Sequence, residues 1–271
     1  MGDKHPQIDR ESSFHDEWAR RTRPEQVKVN EAFEAPTAME NLFILEMLGD
    51  LRGKKLLDVG AGLGESSVYF ALRGAQVTAT DIAPAMTQFA EELARHHNTH
   101  LTTIIAQGEE LDLEPESYDI IHAANIIHHL ADKEAFFAGI RRGLKPGGVF
   151  VSWDPLKYNP VINVYRRLAT KVRTEDERPL SYRDVSLARK YFADLRTRHF
   201  WLLSQAIFLK YFLLDRVDPN RERYWKRIYS ESGASLRWWM PLRALDRVLL
   251  RIPGLKWLSW NIVMYGHKRS P

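Results

Sequence analysis

Residues 55–65 read KLLDVGAGLGE, a short apolar run that leads directly into three glycines at alternate positions. The run is typical of a strand buried on both faces, and the glycines predict a sharp turn from that strand into a helix. Glycine permits such a turn because it has no Cβ to obstruct the backbone or an approaching ligand. We therefore predict a βαβ unit whose ligand crevice lies at the carboxyl end of the strand.

The sequence on either side of this turn continues the alternation of strands and helices. Further strands are predicted at Gln76–Thr80, Leu101–Ala106, Tyr118–Ala124 and Val149–Trp153, and helices at 38–49, Ser66–Leu72, Pro84–His96 and Lys133–Leu144. Strands separated by helical patterns indicate a parallel sheet with both faces covered. The predicted class is α/β, a Rossmann-like, doubly wound and mostly parallel sheet with helices on both faces.

Beyond residue 154 the pattern loosens into long helical stretches. Late strands are predicted at Arg196–Leu203 and Asn261–Lys268, and one helix near the start at Phe14–Arg21. We predict four segments: an N-terminal arm or lid over residues 1–37, a core over residues 38–203, an inserted α-helical cap over residues 204–260, and a final core strand with a tail over residues 261–271.

Composition excludes several classes of protein. The chain has 271 residues and no cysteine, which excludes disulfides, zinc sites built on thiolates and a cysteine nucleophile. Its first thirty residues are polar, and no uncharged apolar run approaches the roughly 18 residues of a spanning helix. We expect a cytoplasmic protein that needs no metal ion.

Charge is distributed unevenly along the chain. Residues 196–271 carry a net charge of +10 and six of the eight tryptophans, whereas residues 1–195 carry −6. Within this basic part, the stretch PLRALDRVLLRI (residues 241–252) places leucines on one helical face and arginines on another. The pattern fits a helix that packs over a substrate pocket as a lid, or an interfacial helix on a membrane surface. Nucleic-acid binding is a third alternative, which the alternation of charge with apolar bulk disfavours.

Two acids flank the glycine turn and discriminate between ligands. Asp58 comes two residues before Gly60, and Asp81 ends the second strand, where a carboxylate can accept both hydroxyls of a ribose. A dinucleotide would place its pyrophosphate on the helix N-terminus, where Asp58 would repel it. S-adenosylmethionine (SAM) has no phosphate and carries an ammonium and a sulfonium, which Asp58 would attract. A turn without a ligand and a dinucleotide site remain the alternatives.

Four ordered motifs resemble those of the class I SAM-dependent methyltransferases, over roughly residues 38–154. They are LLDVGAGLGESS (residues 56–67), TATDIAPAM (residues 78–86), AQGEELDLEPESYDIIHAANIIHHL (residues 106–130) and IRRGLKPGGVFVSWDP (residues 140–155). Small-molecule methyltransferases of the ubiquinone/menaquinone type look closest.

The resemblance implies a set of cofactor-binding residues. Asp58 would lie near the amino group of SAM, and Gly60, Gly62 and Gly64 would line its methionine end. Asp81 would hold the ribose, with Ile82 and Met86 against the adenine. The side chain of Gln107, next to Gly108, would face the adenine amino group, and Asn125 would lie near the methionine moiety.

Candidate catalytic residues follow the fourth and fifth strands. His128 and His129 are placed beside the expected methyl group, and a histidine there is a natural general base; we favour His129. Asp154 could orient an acceptor hydroxyl or amine, with Tyr158 against it, and His15 and Trp18 of the arm could close over the site. The alternative for each is a purely structural role in packing, capping or a turn.

The sequence therefore predicts an enzyme that transfers a methyl group from SAM to a small or lipid-like, hydrophobic acceptor, with S-adenosylhomocysteine as the product. Oxygen is the favoured receiving atom, with carbon and nitrogen as alternatives. The rival functions are an RNA methyltransferase, a SAM-binding partner subunit without catalysis, and a nicotinamide dehydrogenase, against which Asp58 argues. The expected partner is this acceptor; for residues 204–260, docking on the inner face of a membrane as a peripheral protein is the alternative to a role as a lid.

Overall fold

The computed structural model describes residues 5–174 and 177–269. Seven strands form one sheet in the order β3-β2-β1-β4-β5-β7-β6. Their bounds are β1 Lys55–Val59, β2 Gln76–Asp81, β3 Thr102–Ile105, β4 Tyr118–Ala124, β5 Leu144–Pro155, β6 Arg196–Phe200 and β7 Asn261–His267. The first five strands are parallel, and β7 lies antiparallel between β5 and β6. This sheet confirms the predicted fold class, and it contains both of the predicted late strands.

Eleven α-helices are assigned within the described residues. They are α1 His5–Arg21, α2 Glu31–Glu34, α3 Met39–Leu48, α4 Glu65–Leu72, α5 Pro84–His96, α6 Lys133–Gly143, α7 Pro160–Leu168, α8 Tyr182–Tyr191, α9 Ala206–Leu209, α10 Tyr224–Arg227 and α11 Gly233–Leu249. A π-helical turn over Lys210–Leu214 follows α9. Helix α5 has the predicted bounds because Pro84 suits a first helical turn. Helix α1 begins nine residues before the predicted Phe14.

The apolar residues of β1 contribute to a core on each side of the sheet. Leu56 packs in one cluster of buried residues with Phe70 of α4, whereas Leu57 and Val59 pack in another with Phe137 of α6. Alternate residues of a strand point to opposite faces, so a strand buried on both sides is apolar almost throughout. This burial sets the position of the glycine turn that follows.

Strand β6 ends three residues before the predicted Leu203. Trp201 has a φ of +68°, in the left-handed region, which interrupts the ladder. The next backbone N–H groups, of Leu202 and Leu203, donate instead to the Asp246 carboxylate of α11, at 3.0 and 2.7 Å. A buried carboxylate on α11 thus replaces the strand partner, and it anchors that helix to the end of β6.

Residues 204–260 lie between β6 and β7 and contain α9, α10 and α11. Their aromatic residues Phe208, Tyr211 and Trp239 are buried in one cluster together with Trp201, which directly follows β6. The indole N–H of Trp239 donates to the carbonyl of Ser204 at 3.0 Å. Several of the tryptophans that make this segment unusual are therefore packing residues.

Candidate active site

A cavity of about 470 Å³ opens beyond the carboxyl ends of β1, β2 and β4. Strands β1 and β4 are neighbours at the point where the strand order reverses, which is where open α/β sheets bind ligands. Eight of the ten predicted cofactor-binding residues line it: Asp58, Gly60, Gly62, Asp81, Ile82, Gln107, Gly108 and Asn125. Residues from four distant parts of the sequence therefore meet at one edge of the sheet.

The glycine turn adopts the conformation that the sequence predicts. Gly60 and Gly62 have φ angles of +68° and +56°, which residues with a Cβ rarely adopt. A Cβ built on Gly62 meets no atom within 4 Å, so this position is open to the cavity. The turn therefore offers bare backbone to a ligand, as the methionine end of SAM would require.

Asp81 lies at the end of β2 and closes the turn. Its Oδ2 accepts a hydrogen bond from the N–H of Gly62 at 2.8 Å, and its Oδ1 accepts one from the N–H of Ala83 at 2.9 Å. Burial raises the pKa of the Asp81 carboxyl, while the nearby His15 opposes that shift. Each oxygen keeps a second lone pair, so the carboxylate can still accept the two hydroxyls of a ribose.

Asp58 lines the cavity, and its carboxylate already contacts two protein side chains. Ser67 Oγ donates to its Oδ2 at 2.5 Å, and His122 Nδ1 lies 2.7 Å from its Oδ1. His122 stands opposite Asp58 in the ladder between β1 and β4. Asp58 therefore connects the turn to β4 and α4, and any contact with the amino group of SAM would use its remaining lone pairs.

Two predicted cofactor residues lie outside the cavity lining. Met86 of α5 is fully buried in the core, and its expected contact with adenine stays a prediction. A Cβ built on Gly64 would lie 2.7 Å from the Cβ of Ala90, and φ there is +85°. Gly64 therefore serves the close packing of α4 against α5, and its expected contact with the methionine end of SAM stays a prediction.

His128 and Asp154 form a buried pair behind the cavity rather than a catalytic group in it. His128 Nδ1 lies 2.8 Å from Asp154 Oδ1, and their side chains are 3% and 0% exposed. Burial lowers the pKa of His128 well below its usual value and raises that of Asp154 well above it. The direct contact with an acceptor predicted for Asp154 is therefore not what the structure shows.

Tyr158 is likewise engaged elsewhere. Its ring stacks on Tyr182 with centroids 5.8 Å apart, and its hydroxyl accepts the N–H of Tyr182 at 3.3 Å. The side chain thus orders the start of α8 and does not line the cavity, contrary to expectation.

His129 does line the cavity, and it meets a residue that the sequence did not single out. Its Nδ1 lies 2.7 Å from Glu11 Oε1 of α1, and His15 Nε2 lies 3.1 Å from the same oxygen. Burial alone would raise the pKa of Glu11, but its contacts with the two histidines lower it below the usual range. An ionised Glu11 can therefore hold His129 in one orientation. Its position in a polar helix gave no signal of this role.

Two further walls come from outside the core. Helix α1 contributes Trp18 as well as Glu11 and His15, and it is held at the end of β2 because Asp16 accepts the N–H of Ala85 at 2.9 Å. The insertion contributes Arg223, Trp225, Lys226 and Tyr229, whereas α11 is not part of this lining. The part of residues 204–260 that covers the cavity is therefore the segment around α10.

One group of side chains near the cavity has the composition of a metal site. Ligand atoms of His128, His129 and Glu177 lie within 4.8 Å of one another. Glu177, however, is paired with Arg166 at 2.9 Å and Arg173 at 2.8 Å, and His128 with Asp154. These partners satisfy the group without a cation.

Comparison with known proteins agrees with this geometry. Residues 57–152 match a family model described as a methyltransferase domain. The chain is 36% identical over 107 residues to a ubiquinone biosynthesis O-methyltransferase of Idiomarina loihiensis, which covers 39% of the chain and 44% of that relative. It is 34% identical over 107 residues to a probable phthiotriol/phenolphthiotriol dimycocerosates methyltransferase of Mycobacterium ulcerans, covering 39% and 41%. The chain thus matches less than half the length of these relatives.

A solved structure shares the fold over most of the chain. Phosphoethanolamine N-methyltransferase 2 of Haemonchus contortus, in complex with SAM, superposes with a TM-score of 0.57 at 18% identity, covering 94% of this chain and 60% of that one. At this identity the likeness concerns the fold. Together with the domain match, it confirms the class I methyltransferase resemblance that the four motifs predicted.

Proposed function

We propose, with a methyltransferase domain over residues 57–152 as the premise, that this protein transfers a methyl group from SAM to an oxygen atom of a small, lipid-like acceptor. The observation that carries the proposal is that two different groups of residues line one cavity. The glycine turn and Asp81 line one part of it, and the His129–Glu11 pair lines another. The first suits the cofactor, and the second suits an acceptor that must lose a proton.

SAM supplies an electrophilic methyl group on a sulfonium. The residues that would hold it are Asp81 at the ribose hydroxyls, Ile82 against the adenine, Gln107 at the adenine amino group and the turn from Gly60 to Gly62 along the methionine. Each of them lines the cavity. The open space beside Gly62 and the free lone pairs of Asp81 are the features that fit this cofactor.

His129 is the general base of the proposal. Nδ1 lies 2.7 Å from Glu11 Oε1, so Nε2 is the nitrogen available to an acceptor hydroxyl, whose proton it would take as the O–C bond forms and the C–S bond breaks. A positioned base of this kind contributes about 10²–10⁴ in rate. The orientation of the acceptor against the methyl group supplies much of the rest.

The remainder of the lining indicates an apolar acceptor. Large apolar side chains from five parts of the chain face the cavity: Ile8, Phe14, Ile126, Leu130, Trp153, Val172, Trp225 and Tyr229. Ligand sites of this kind derive their affinity from apolar walls and their orientation from a few polar groups. A hydrophobic quinol, phenol or lipid alcohol has that character.

The open cavity argues against one rival function. A SAM-binding subunit without catalysis would need no acceptor space, yet the lining of the cavity also includes His129 and Trp225, which are not among the predicted cofactor residues. An RNA methyltransferase remains the alternative, and it predicts RNA binding that weakens steeply with salt.

The test is calorimetric titration with SAM, followed by transfer of labelled methyl from SAM to a panel of quinols, phenols and lipid alcohols. We expect micromolar SAM binding and activity that His129→Ala abolishes without loss of SAM affinity. Absence of SAM binding would refute the proposal. If RNA alone were labelled, the acceptor would be RNA and not a small, lipid-like molecule.

We further propose that the protein is cytoplasmic and docks peripherally on the anionic inner face of a membrane through the outer surface of α11. Apolar side chains that are 38–61% exposed recur at helical spacing along α11 and just past its end: Trp238, Leu245, Val248 and Ile252. Residues 233–258 carry five basic side chains, and their single acid, Asp246, is buried. Apolar side chains between cations complement an anionic lipid surface, which the cytoplasmic leaflet provides. No helix in the described part of the chain has the length and hydropathy to cross a bilayer.

Flotation with vesicles tests this docking. We expect binding to phosphatidylglycerol vesicles, release by salt, and no binding to pure phosphatidylcholine vesicles. Leu245→Glu should abolish flotation, whereas Leu72→Glu, at a leucine of similar exposure on α4, should not. Equal flotation of the two variants would contradict the assignment to α11.

A further inference from the structure

Arg223 is a cation at the cavity that has no acidic partner within the described residues. It precedes α10, lines the cavity and lies with its guanidinium carbon 3.9 Å from the ring centroid of Trp18. Its Nε is buried and makes no hydrogen bond. Burial lowers the pKa of Arg223 to about 10, so it stays protonated at neutral pH. A fixed, charged guanidinium with an unused donor is a site for an anion.

The neighbouring cations differ from Arg223 because acids already neutralise them. Lys226 forms an ion pair with Glu65, and Arg173 and Arg166 share Glu177. Glu65 is the first residue of α4, directly after the glycine turn, and its charge acts on Arg223. Arg223 therefore lies toward the part of the cavity that the glycine turn lines.

We propose that Arg223 binds the α-carboxylate of the cofactor, so that the insertion completes the SAM site from outside the methyltransferase domain. This rests on the proposed function. SAM carries one carboxylate, on the methionine end that the turn would hold, and none of the ten cofactor residues predicted from the motifs is basic. Trp18 keeps the guanidinium plane in place, and Lys226 neutralises Glu65, which would otherwise repel the carboxylate.

The same guanidinium could instead receive an acidic group of the acceptor, because the chemistry of recognition is identical. The position next to Glu65 favours the cofactor, and a comparison of two ligands separates the sources. Decarboxylated SAM retains the adenosine, the sulfonium and the amine of SAM and lacks only the carboxylate. It therefore reports on every cofactor contact except the one in question.

The experiment is calorimetric titration of the full-length protein and its Arg223→Gln variant with SAM and with decarboxylated SAM. A charge-assisted hydrogen bond contributes about 1.5–3 kcal/mol, so Arg223→Gln should weaken SAM binding about ten- to a hundredfold. The affinity of Arg223→Gln for decarboxylated SAM should differ from that of the unmodified protein by less than about threefold. Arg223→Lys should lie in between. Arg221→Gln, at a guanidinium that is 86% exposed in the same segment, is the matched control and should bind as the unmodified protein does.

Three outcomes would overturn the proposal. Equal weakening for both ligands would show that Arg223 only supports the shape of the site. Unchanged SAM affinity would remove the contact altogether. Benzoate serves as a small carboxylate in place of an acidic acceptor. If the SAM-saturated Arg223→Gln variant loses the benzoate binding of the unmodified protein while its SAM affinity is unchanged, Arg223 belongs to an acidic acceptor. If the unmodified protein binds neither ligand, the proposed function itself fails, which is a different result from any of these.

Discussion

His129 Nδ1 and Glu11 Oε1 lie 2.7 Å apart, although one residue follows β4 and the other belongs to the N-terminal helix. The contact makes α1 part of the candidate active site, because the carboxylate that orients the proposed base comes from that helix. The same glutamate contacts His15, so two histidines share one anion beside the cavity. An acid that is ionised and held by imidazoles is suited to fixing a base in place.

Glu11→Gln should lower turnover about a hundredfold while leaving SAM affinity within about twofold, because the change removes the orienting charge from the proposed base and not from the cofactor site. Initial rates and calorimetry on the same preparation measure both quantities. Glu17→Gln, on the exposed side of α1, is the control. Undiminished turnover in Glu11→Gln would show that His129 needs no orienting partner.

Asp81→Asn should weaken SAM binding about a hundredfold, because the amide presents only one oxygen where the carboxylate offers two to a ribose. Asp112→Asn, at a side chain that is 97% exposed, should leave the affinity unchanged. Because Asp81 also accepts two backbone N–H groups, thermal unfolding of both variants should be recorded. Full affinity in a folded Asp81→Asn protein would refute the ribose assignment.

Gly62→Ala and Gly64→Ala should separate ligand binding from stability. Both positions have positive φ, which costs an alanine about 1 kcal/mol. Only at Gly64 does the added Cβ also meet α5, so that variant should lose about 1–3 kcal/mol more in urea unfolding. Gly62→Ala should instead lose SAM affinity, because its methyl group enters the cavity. Equal stability of the two variants would contradict the packing role of Gly64.

Asp154→Ala should destabilise the protein by about 1–3 kcal/mol, because it leaves the buried His128 without its hydrogen-bond partner. Asp194→Ala is the matched control, since that carboxylate lies at the same 2.8 Å from His267 in a pair that is 33% and 50% exposed. Exposed pairs contribute less than about 1 kcal/mol. Urea denaturation compares the two variants, and equal losses would show that burial does not decide the outcome.

Glu40 should make stability fall as pH rises from about 4.5 to about 7. Burial raises the pKa of its carboxyl to about 7, although Asn261 Nδ2 and Trp201 Nε1 donate to it at 2.6 and 2.8 Å. The folded protein therefore binds a proton that the unfolded chain has released, and stability is greatest below the unfolded pKa. Glu40→Gln should remove this slope, which amounts to at most about 3 kcal/mol. Urea unfolding at several pH values measures it, and an unchanged slope would contradict the assignment.

The repeating units of the sheet could be predicted from sequence because their signals are local. Burial on both faces makes β1 apolar at Leu56, Leu57 and Val59, and the glycines after it are required by backbone angles that few other residues adopt. Asp81 could be identified from local sequence as well, because it ends β2, and the neighbouring strand β1 leads into the glycine turn. Gly64 shows the limit of such reasoning. A positive φ and close packing against α5 select glycine at this position, and so would contact with a ligand, so the sequence alone does not distinguish the two roles.

The roles of the histidines and of the cationic segment depended on contacts between distant residues. HHL at residues 128–130 does not reveal which imidazole faces the cavity, and the fold buries His128 against Asp154 while it turns His129 toward Glu11. In the same way, the basic C-terminal part divides into α11, with its exposed apolar face, and the segment around Arg223 at the cavity.

The sheet, the glycine turn and the acids beside it follow from local sequence, because backbone geometry and burial place apolar residues and glycines at fixed spacing along the chain. The folded chain was needed to show which acid faces His129, which histidine reaches the cavity and which arginine at the cavity has no acidic partner within the described residues. Those properties arise where α1, the core and the insertion converge, and a contact between segments far apart in the chain has no periodicity for a single sequence to display.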